Sequence, residues 1–248
     1  MTAAAPTLRM NSAGLTDKGR VRGHNEDAFL DAPAQNLWVV ADGMGGHTAG
    51  DVASKMIVDR LAGVKPPADP ASFLDAVEQE LYAVNEELRK HAAQRNVSLI
   101  GATVVTLLAS KDYLMCGWAG DSRAYRYQGG QLQQISRDHS TVQEMLDTGQ
   151  FTAQQLQQTK PSGNTITRAV GGELKLFLDW SLAGYEADTQ FLLCSDGLTK
   201  EVSDTRIAEE LARNLAPQQT VENLVKLALE AGGRDNVTAL VVRPGAVT

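Results

Sequence analysis

Cysteine is scarce. The 248 residues hold two, Cys116 and Cys194, each inside an apolar run (YLMCGW and FLLCSD). Placed so, they offer neither a disulfide framework nor a metal-type spacing and read as small buried hydrophobes. Histidine is sparse as well: His24, His47, His91 and His139 show no HxxxH or HxH pairing, which speaks against zinc. No stretch approaches the apolar length of a membrane span, and the N-terminal MTAAAPTLRM lacks the basic-then-apolar order of a signal peptide. A cytoplasmic chain with no membrane partner is expected. Basic residues are outnumbered, 23 Lys and Arg against 30 Asp and Glu, for a net charge of −7. That disfavours a nucleic-acid backbone as the main partner. An acidic chain would also repel phosphorylated substrates unless bound cations reverse the sign locally.

Regular structure is well signalled. Apolar or alternating runs bounded by turn residues predict strands at LWVVAD, ATVVTLLA, YLMCGWAG, AYRYQ, QLQQIS, FLLCSD and VTALVV. Gly129-Gly130 between two alternating runs marks a hairpin. Asp69-Pro70 opens a helix on which Phe73, Val77, Leu81, Val84 and Leu88 share one face. A helix from Asp51 packs through Ala53, Met56, Ile57 and Leu61. Ile207, Leu211 and Leu215 form one further stripe, and Val221, Leu224, Val225 and Ala228 another, stopped by Gly232-Gly233. Strands and helices come in groups rather than in strict alternation, so an α+β fold with largely antiparallel sheet is expected. The polar stretch 141–164, TVQEMLDTGQFTAQQLQQTKPSGN, interrupts the strand series as a surface excursion or a lid.

The chemistry is carried by aspartates at the edges of apolar runs: Asp42 in WVVAD-G, Asp121 in MCGWAGD-S, Asp196 in FLLCSD-G, and Asp235 in GGRDN before VTALVV. Any one of them could be a simple turn former. Four with such apolar lead-ins suggest charge that is paired or metal-bound. RGHNEDAF adds Glu26 and Asp27, with Arg22 four residues before Glu26. Six carboxylates cannot share one site without cations, and oxygen-only ligands suit Mg²⁺ or Mn²⁺.

The glycine-rich VVADGMGGHTAG is not a P-loop, since no lysine falls between Asp42 and Lys55. It is not a dinucleotide loop either, because the third glycine required after Gly43 and Gly45 is Thr48. What remains is a turn of close backbone approach, in which the Gly43 carbonyl and the Asp42 carboxylate could face one ion.

RVRGHNEDAF, VVADGMGGHTAGDVAS, GATVVTLL, GDSRAYRY, ISRDHS, ITRAVG, LLCSDGLT and DNVTALVV run in this order through nearly the whole chain. Together they resemble the metal-dependent (type 2C) Ser/Thr protein phosphatases in their compact bacterial form. The resemblance implies a sandwich of two central antiparallel sheets flanked by helices, as one catalytic domain over 11–245 after an extension at 1–10. It implies two Mn²⁺ or Mg²⁺ ions bridged by a water or hydroxide, and a third, weaker ion. Carried over residue by residue, Asp42 would be shared by both ions, with Gly43 giving its carbonyl. Asp196 and Asp235 would hold the first ion, and Glu26 would reach the second through water. Asp121 would hold the third ion together with Asp196. Arg22 would grip the substrate phosphate and Asp27 would orient metal-bound water. The stretch 141–164 would be the family's variable flap. Animal members carry a proposed general-acid histidine directly after the DG pair, whereas Met44 stands there in this chain. His47, three residues on, is left with either a proton-donating or a structural role.

Expected partners are phosphorylated proteins and the pathway of an opposing bacterial Ser/Thr kinase, with the phosphatase itself a monomer. The chain is also similar to the stand-alone phosphatases that accompany type VI secretion kinases. Three rivals stand beside this reading. A cysteine-nucleophile phosphatase needs an arginine six residues after the cysteine, where this chain has Ser122 and Lys200. A two-metal nuclease would want a basic patch, and a pseudophosphatase would be expected to lack some of the acidic residues.

Overall fold

The computed structural model describes residues 10–45, 49–67, 69–110, 113–152, 155 and 165–245. Two antiparallel sheets lie face to face. The first joins β1 (Met10–Asp17), β11 (Val237–Pro244), β10 (Gln190–Cys194), β7 (Arg123–Gln128) and β8 (Gln131–Gln134), in that order. The second joins β2 (Asp27–Ala32), β3 (Leu37–Met44), β5 (Val104–Ala109), β6 (Tyr113–Ala119) and β9 (Asp179–Gly184), with the two-residue β4 (Gly101–Ala102) pairing β3.

Alternation along the strands sorts side chains into three cores. Trp38 and Val40 of β3 meet Phe191 and Leu193 of β10 and Leu240 and Val242 of β11 between the sheets. The intervening Leu37, Val39 and Ala41 face outward against α1 (Ala49–Ala62) and α2 (Pro70–Gln94). Leu192, Cys194, Ala239 and Val241 face outward on the other sheet, under α5 (Asp204–Ala212) and α6 (Pro217–Ala231). The inner strands are therefore apolar on both faces, which is why they read as near-continuous hydrophobic runs. The layers stack helix, sheet, sheet, helix, as expected.

Helix ends follow local chemistry. The Asp69 carboxylate accepts the Ser72 N–H at 2.9 Å at the start of α2, with Pro70 at the first helical position. The stripe Phe73, Val77, Leu81, Val84 and Leu88 is buried. α6 ends at Gly232 and Gly233, both with positive φ. One expected stripe is shorter than its sequence pattern: α5 stops at Ala212 because Asn214 turns left-handed, leaving Leu215 half-buried in the connection to Pro217.

The strands absent from the sequence reading are edge strands. β1 (MNSAGLTD) buries Met10 and Ala13 alone, and it extends back to Met10 opposite Pro244. β9 (DWSLAG) leaves Leu182 69% exposed. Neither needs an apolar face of its own, so neither announces itself by period. Of the polar stretch 141–164, residues 141–147 form α3 (Thr141–Asp147) and most of the remainder lies outside the described residues.

Candidate active site

At one end of the sandwich Arg22, Glu26, Asp42, Gly43, Asp121, Asp196 and Asp235 line a single cleft of about 310 Å³, together with Met44, Ile166, Lys200 and Asn236. A larger hollow of about 600 Å³ lies beside the β7–β8 hairpin, but it gathers one carboxylate, Asp188. The smaller cleft gathers five, so charge rather than size marks the site.

Each acidic side chain arrives by its own route. Asp42 lies in β3, whose backbone is clamped where the Gly43 N–H meets the Glu26 carbonyl at 3.1 Å and the Thr103 N–H meets the Asp42 carbonyl at 2.9 Å. A Cβ on Gly43 would fall 2.1 Å from the Gly50 carbonyl oxygen and 2.6 Å from that of Glu26. One on Gly50 would meet Glu26 Oε1 at 2.6 Å. The glycines thus let the start of α1 settle onto β3 and Glu26 together, the close approach the sequence suggested. His47 lies outside the described residues.

Asp121 follows β6 through Gly120, whose φ is +121°. The Gly120 N–H donates to His139 Nδ1 at 3.1 Å, and its carbonyl accepts the His139 N–H at 2.8 Å. Asp196 does not end a strand but opens the short helix α4 (Asp196–Thr199). Asp235 precedes β11 beside Asn236, a residue the sequence reading passed over. The Asn236 side-chain oxygen accepts the Glu26 N–H at 2.9 Å, and its Nδ2 donates to the carbonyls of Lys18 at 2.8 Å and His24 at 2.9 Å. That buried side chain fixes the loop carrying Arg22 and Glu26.

Asp27 sits beneath the cleft rather than in its lining. Its Oδ2 accepts the hydroxyls of Ser195 and Thr238, each at 2.7 Å. Its Oδ1 is buried without a hydrogen-bond partner, as are Oδ1 of Asp121 and of Asp196. Burial is the main cause that lifts these acids out of the usual carboxylate range, with neighbouring carboxylates adding to it: Asp27 to about 6, Asp121 to about 7, and Asp42 well upward. Such a cluster is short of positive charge.

The cations beside it are not the sequence neighbours. Arg123 turns away from Asp121 to make a bidentate pair with Asp138, and Arg234 pairs with Glu201 rather than Asp235. Arg22 instead grips Asp235, Nε to Oδ1 at 2.8 Å and Nη2 to Oδ2 at 2.9 Å. Lys200, also missed, contacts Asp196 and lies 3.5 Å from Asp235 Oδ2. Its signal was the i,i+4 spacing in DGLTK, which has meaning only once Asp196 is known to start a helical turn. Among the described residues no three acidic, histidine or cysteine side chains are already drawn into a ready metal cage. Instead Arg22 holds both oxygens of Asp235, and Lys200 holds one oxygen of Asp196.

The helix-flanked double sheet has counterparts among known proteins. The protein phosphatase 2C family profile matches residues 19–230. The serine/threonine phosphatase stp of Listeria welshimeri is 34% identical over 241 residues, covering 94% of this chain and 95% of that protein. Among solved structures, PppA, described as a key regulatory component of T6SS in Pseudomonas aeruginosa, superposes with a TM-score of 0.89 at 43% identity, covering 97% of this chain and 100% of that one. The catalytic domain of the phosphatase PstP, in complex with two manganese ions, gives 0.82 at 34% identity, covering 96% and 99%. The chain belongs to the protein phosphatase 2C family. It is a protein-serine/threonine phosphatase. No helix among the described residues is long and apolar enough to cross a membrane.

Proposed function

We propose that this phosphatase hydrolyses phosphoserine and phosphothreonine esters by direct attack of water, without a phosphoenzyme, using two divalent cations, Mn²⁺ or Mg²⁺. The observation that carries this is the convergence of five carboxylates from separate elements on one cleft, three aspartates at the site having buried oxygens with no partner. An oxygen-only donor set of this kind fits hard divalent ions. Asp42, the Gly43 carbonyl, Asp196, Asp235 and Glu26 would hold them. Bound there, the ions would supply an acidified water nucleophile and neutralise phosphate charge, lowering an otherwise very high barrier.

The chain's own groups do the rest. Arg22 is half-exposed at the rim, and its forked guanidinium, now on two oxygens of Asp235, can take two phosphate oxygens. Asp27, with Oδ2 pinned by Ser195 and Thr238, keeps a buried, unpartnered Oδ1 beneath the cleft and would orient the water bound there. A thiolate route has no support. Cys116 and Cys194 are buried in separate cores, and burial pushes both thiols up to about 12.

The 43% identity to PppA, a regulatory component of T6SS, supports placing the enzyme in a type VI secretion pathway, where it would oppose a bacterial Ser/Thr kinase. We read it as a cytoplasmic monomer with a single catalytic domain over 11–245 and a flap near 141–164. The deciding assay is turnover of a generic aryl phosphate. It should require Mn²⁺ or Mg²⁺, vanish with EDTA, survive iodoacetamide, and be nearly abolished in Asp196→Asn while the fold persists. Near-normal activity of that variant, or turnover untouched by EDTA, would overturn the proposal.

A further inference from the structure

Beside the acidic cleft lies a second hollow of about 420 Å³, lined by Arg22, Gly197, Lys200, Glu201, Arg234 and Asp235. Arg22, Lys200 and Asp235 line both, so the two spaces adjoin. Three cations and two carboxylates share the wall of the hollow, and they are not equally placed. Arg234 pairs with Glu201 through Nε and Nη2, at 2.8 and 3.0 Å, and Nη1 takes no part in that pair. Its side chain is 72% exposed, while that of Glu201 is 3% exposed. Arg22 grips Asp235 by the same edge of its guanidinium, and Lys200 contacts Asp196. Both of these cations are half-exposed, and both carboxylates are largely covered. In each pair the negative end is turned inward and the positive end outward. A chain of net charge −7 thus shows solvent a cationic face at this point.

We infer that this hollow is a substrate subsite for a carboxylate, the side chain of an Asp or Glu lying one or two residues from the phosphorylated serine or threonine. The inference rests on the hydrolysis reading above and names the peptides that such an enzyme favours. Successive residues of an extended peptide advance about 3.3–3.6 Å, so a phosphate in the cleft leaves its near neighbours within reach of the adjoining hollow. Arg234 is the specificity-determining group, because it lines the hollow and not the cleft. Its planar guanidinium suits carboxylate oxygens. A lysine at the same peptide position would meet repulsion, so discrimination comes from both signs of charge. The face is solvated, which keeps the effect moderate and lets salt screen it.

Steady-state kinetics of the full chain at saturating Mn²⁺ tests this on short phosphothreonine peptides, with glutamate, glutamine or lysine at one of the two positions on either side. At one or more of these positions glutamate should raise kcat/KM about fivefold over glutamine, through KM, and lysine should lower it. The net charge of −7 alone would favour the basic peptides, so the sign of the preference is diagnostic. Added salt should narrow the gap. Arg234→Gln should bring the glutamate peptide down to its glutamine counterpart, while turnover of the glutamine peptide and of an aryl phosphate stays at the wild-type level. Because Arg234 also covers Glu201, the double variant Glu201→Gln, Arg234→Gln repeats the test with an uncharged pair, and melting curves confirm that each variant is folded. Equal kcat/KM for glutamate and glutamine peptides at every position in wild type, or a gap that survives both Arg234 variants, overturns the subsite and leaves the hydrolysis reading intact. Failure to turn over any peptide or the aryl phosphate in Mn²⁺ would remove that reading and this inference with it.

Discussion

Asp27 and Asp42 stand directly opposite one another across the β2–β3 pairing. Like charges in that position destabilise a sheet. Burial and the surrounding acids raise the pKa of both, Asp27 to about 6, and Asp121 is raised to about 7. A carboxyl whose folded pKa exceeds its unfolded value binds more protons when folded, so stability falls as pH rises from the unfolded value toward the folded one. Without divalent ions the protein should therefore melt at progressively lower temperature as pH climbs from about 4 to about 7. With saturating Mn²⁺ the slope should flatten or reverse, because ions require the deprotonated oxygens. Melting curves across that range, with EDTA and with Mn²⁺, check both signs. A metal-free protein that gains stability over the same range would contradict the charge assignment.

Asn236 should matter out of proportion to its chemistry. Its side chain satisfies one N–H and two carbonyls of the loop bearing Arg22 and Glu26. Asn236→Ala would leave those groups poorly paired and should cost about 2–3 kcal/mol in urea denaturation. Because the loop presents Arg22, proposed to grip the substrate phosphate, KM for an aryl phosphate should rise as well. Asn236→Asp keeps the acceptor for Glu26 but loses the donors and adds a charge to an acidic cleft, so it should not rescue. Wild-type stability in the alanine variant would show that the loop is held by other means.

The inner strands and the long helices were legible because burial on both faces, or along one stripe, leaves an apolar period. The site aspartates were legible for a related reason: a carboxylate next to such a run needs a partner. What stayed hidden depends on contacts between segments far apart in sequence. β1 and β9 borrow their apolar cover from neighbours. Asn236 acts on residues 18–26, more than two hundred positions away. Arg123 and Arg234, the cations nearest in sequence to Asp121 and Asp235, are claimed by Asp138 and Glu201, and no local pattern announces such exchanges.

Gly43 offers a steric test. A methyl group there would sit 2.1 Å from the Gly50 carbonyl oxygen and 2.6 Å from that of Glu26, both backbone atoms with little room to yield. Gly43→Ala should push α1 or the Glu26 loop outward and destabilise the protein by about 1–3 kcal/mol. The shift would also move Glu26 and the Gly43 carbonyl, so apparent Mn²⁺ affinity should fall with stability. Calorimetric Mn²⁺ titration beside a denaturation curve reads the two effects together. Intact stability and affinity would mean that the approach of α1 to β3 is slacker than these distances.

Arg22 separates substrate binding from metal holding. It is exposed at the rim and pairs with Asp235 through two hydrogen bonds, a pairing that also raises its own pKa, so it remains charged throughout the working range. If its task is to grip the phosphate, Arg22→Ala should raise KM for an aryl phosphate by about tenfold or more, the equivalent of one lost charge-assisted contact of about 1.5–3 kcal/mol. kcat should change less, and Mn²⁺ affinity should hold or improve, because Asp235 loses a competing cation. Arg22→Lys should restore only part of the KM, since an ammonium cannot offer two parallel N–H donors. Steady-state kinetics at saturating Mn²⁺, paired with calorimetric titration of the same variants, distinguishes the outcomes. A loss confined to Mn²⁺ affinity with KM unchanged would place Arg22 with the scaffold of the acidic cleft rather than with the substrate.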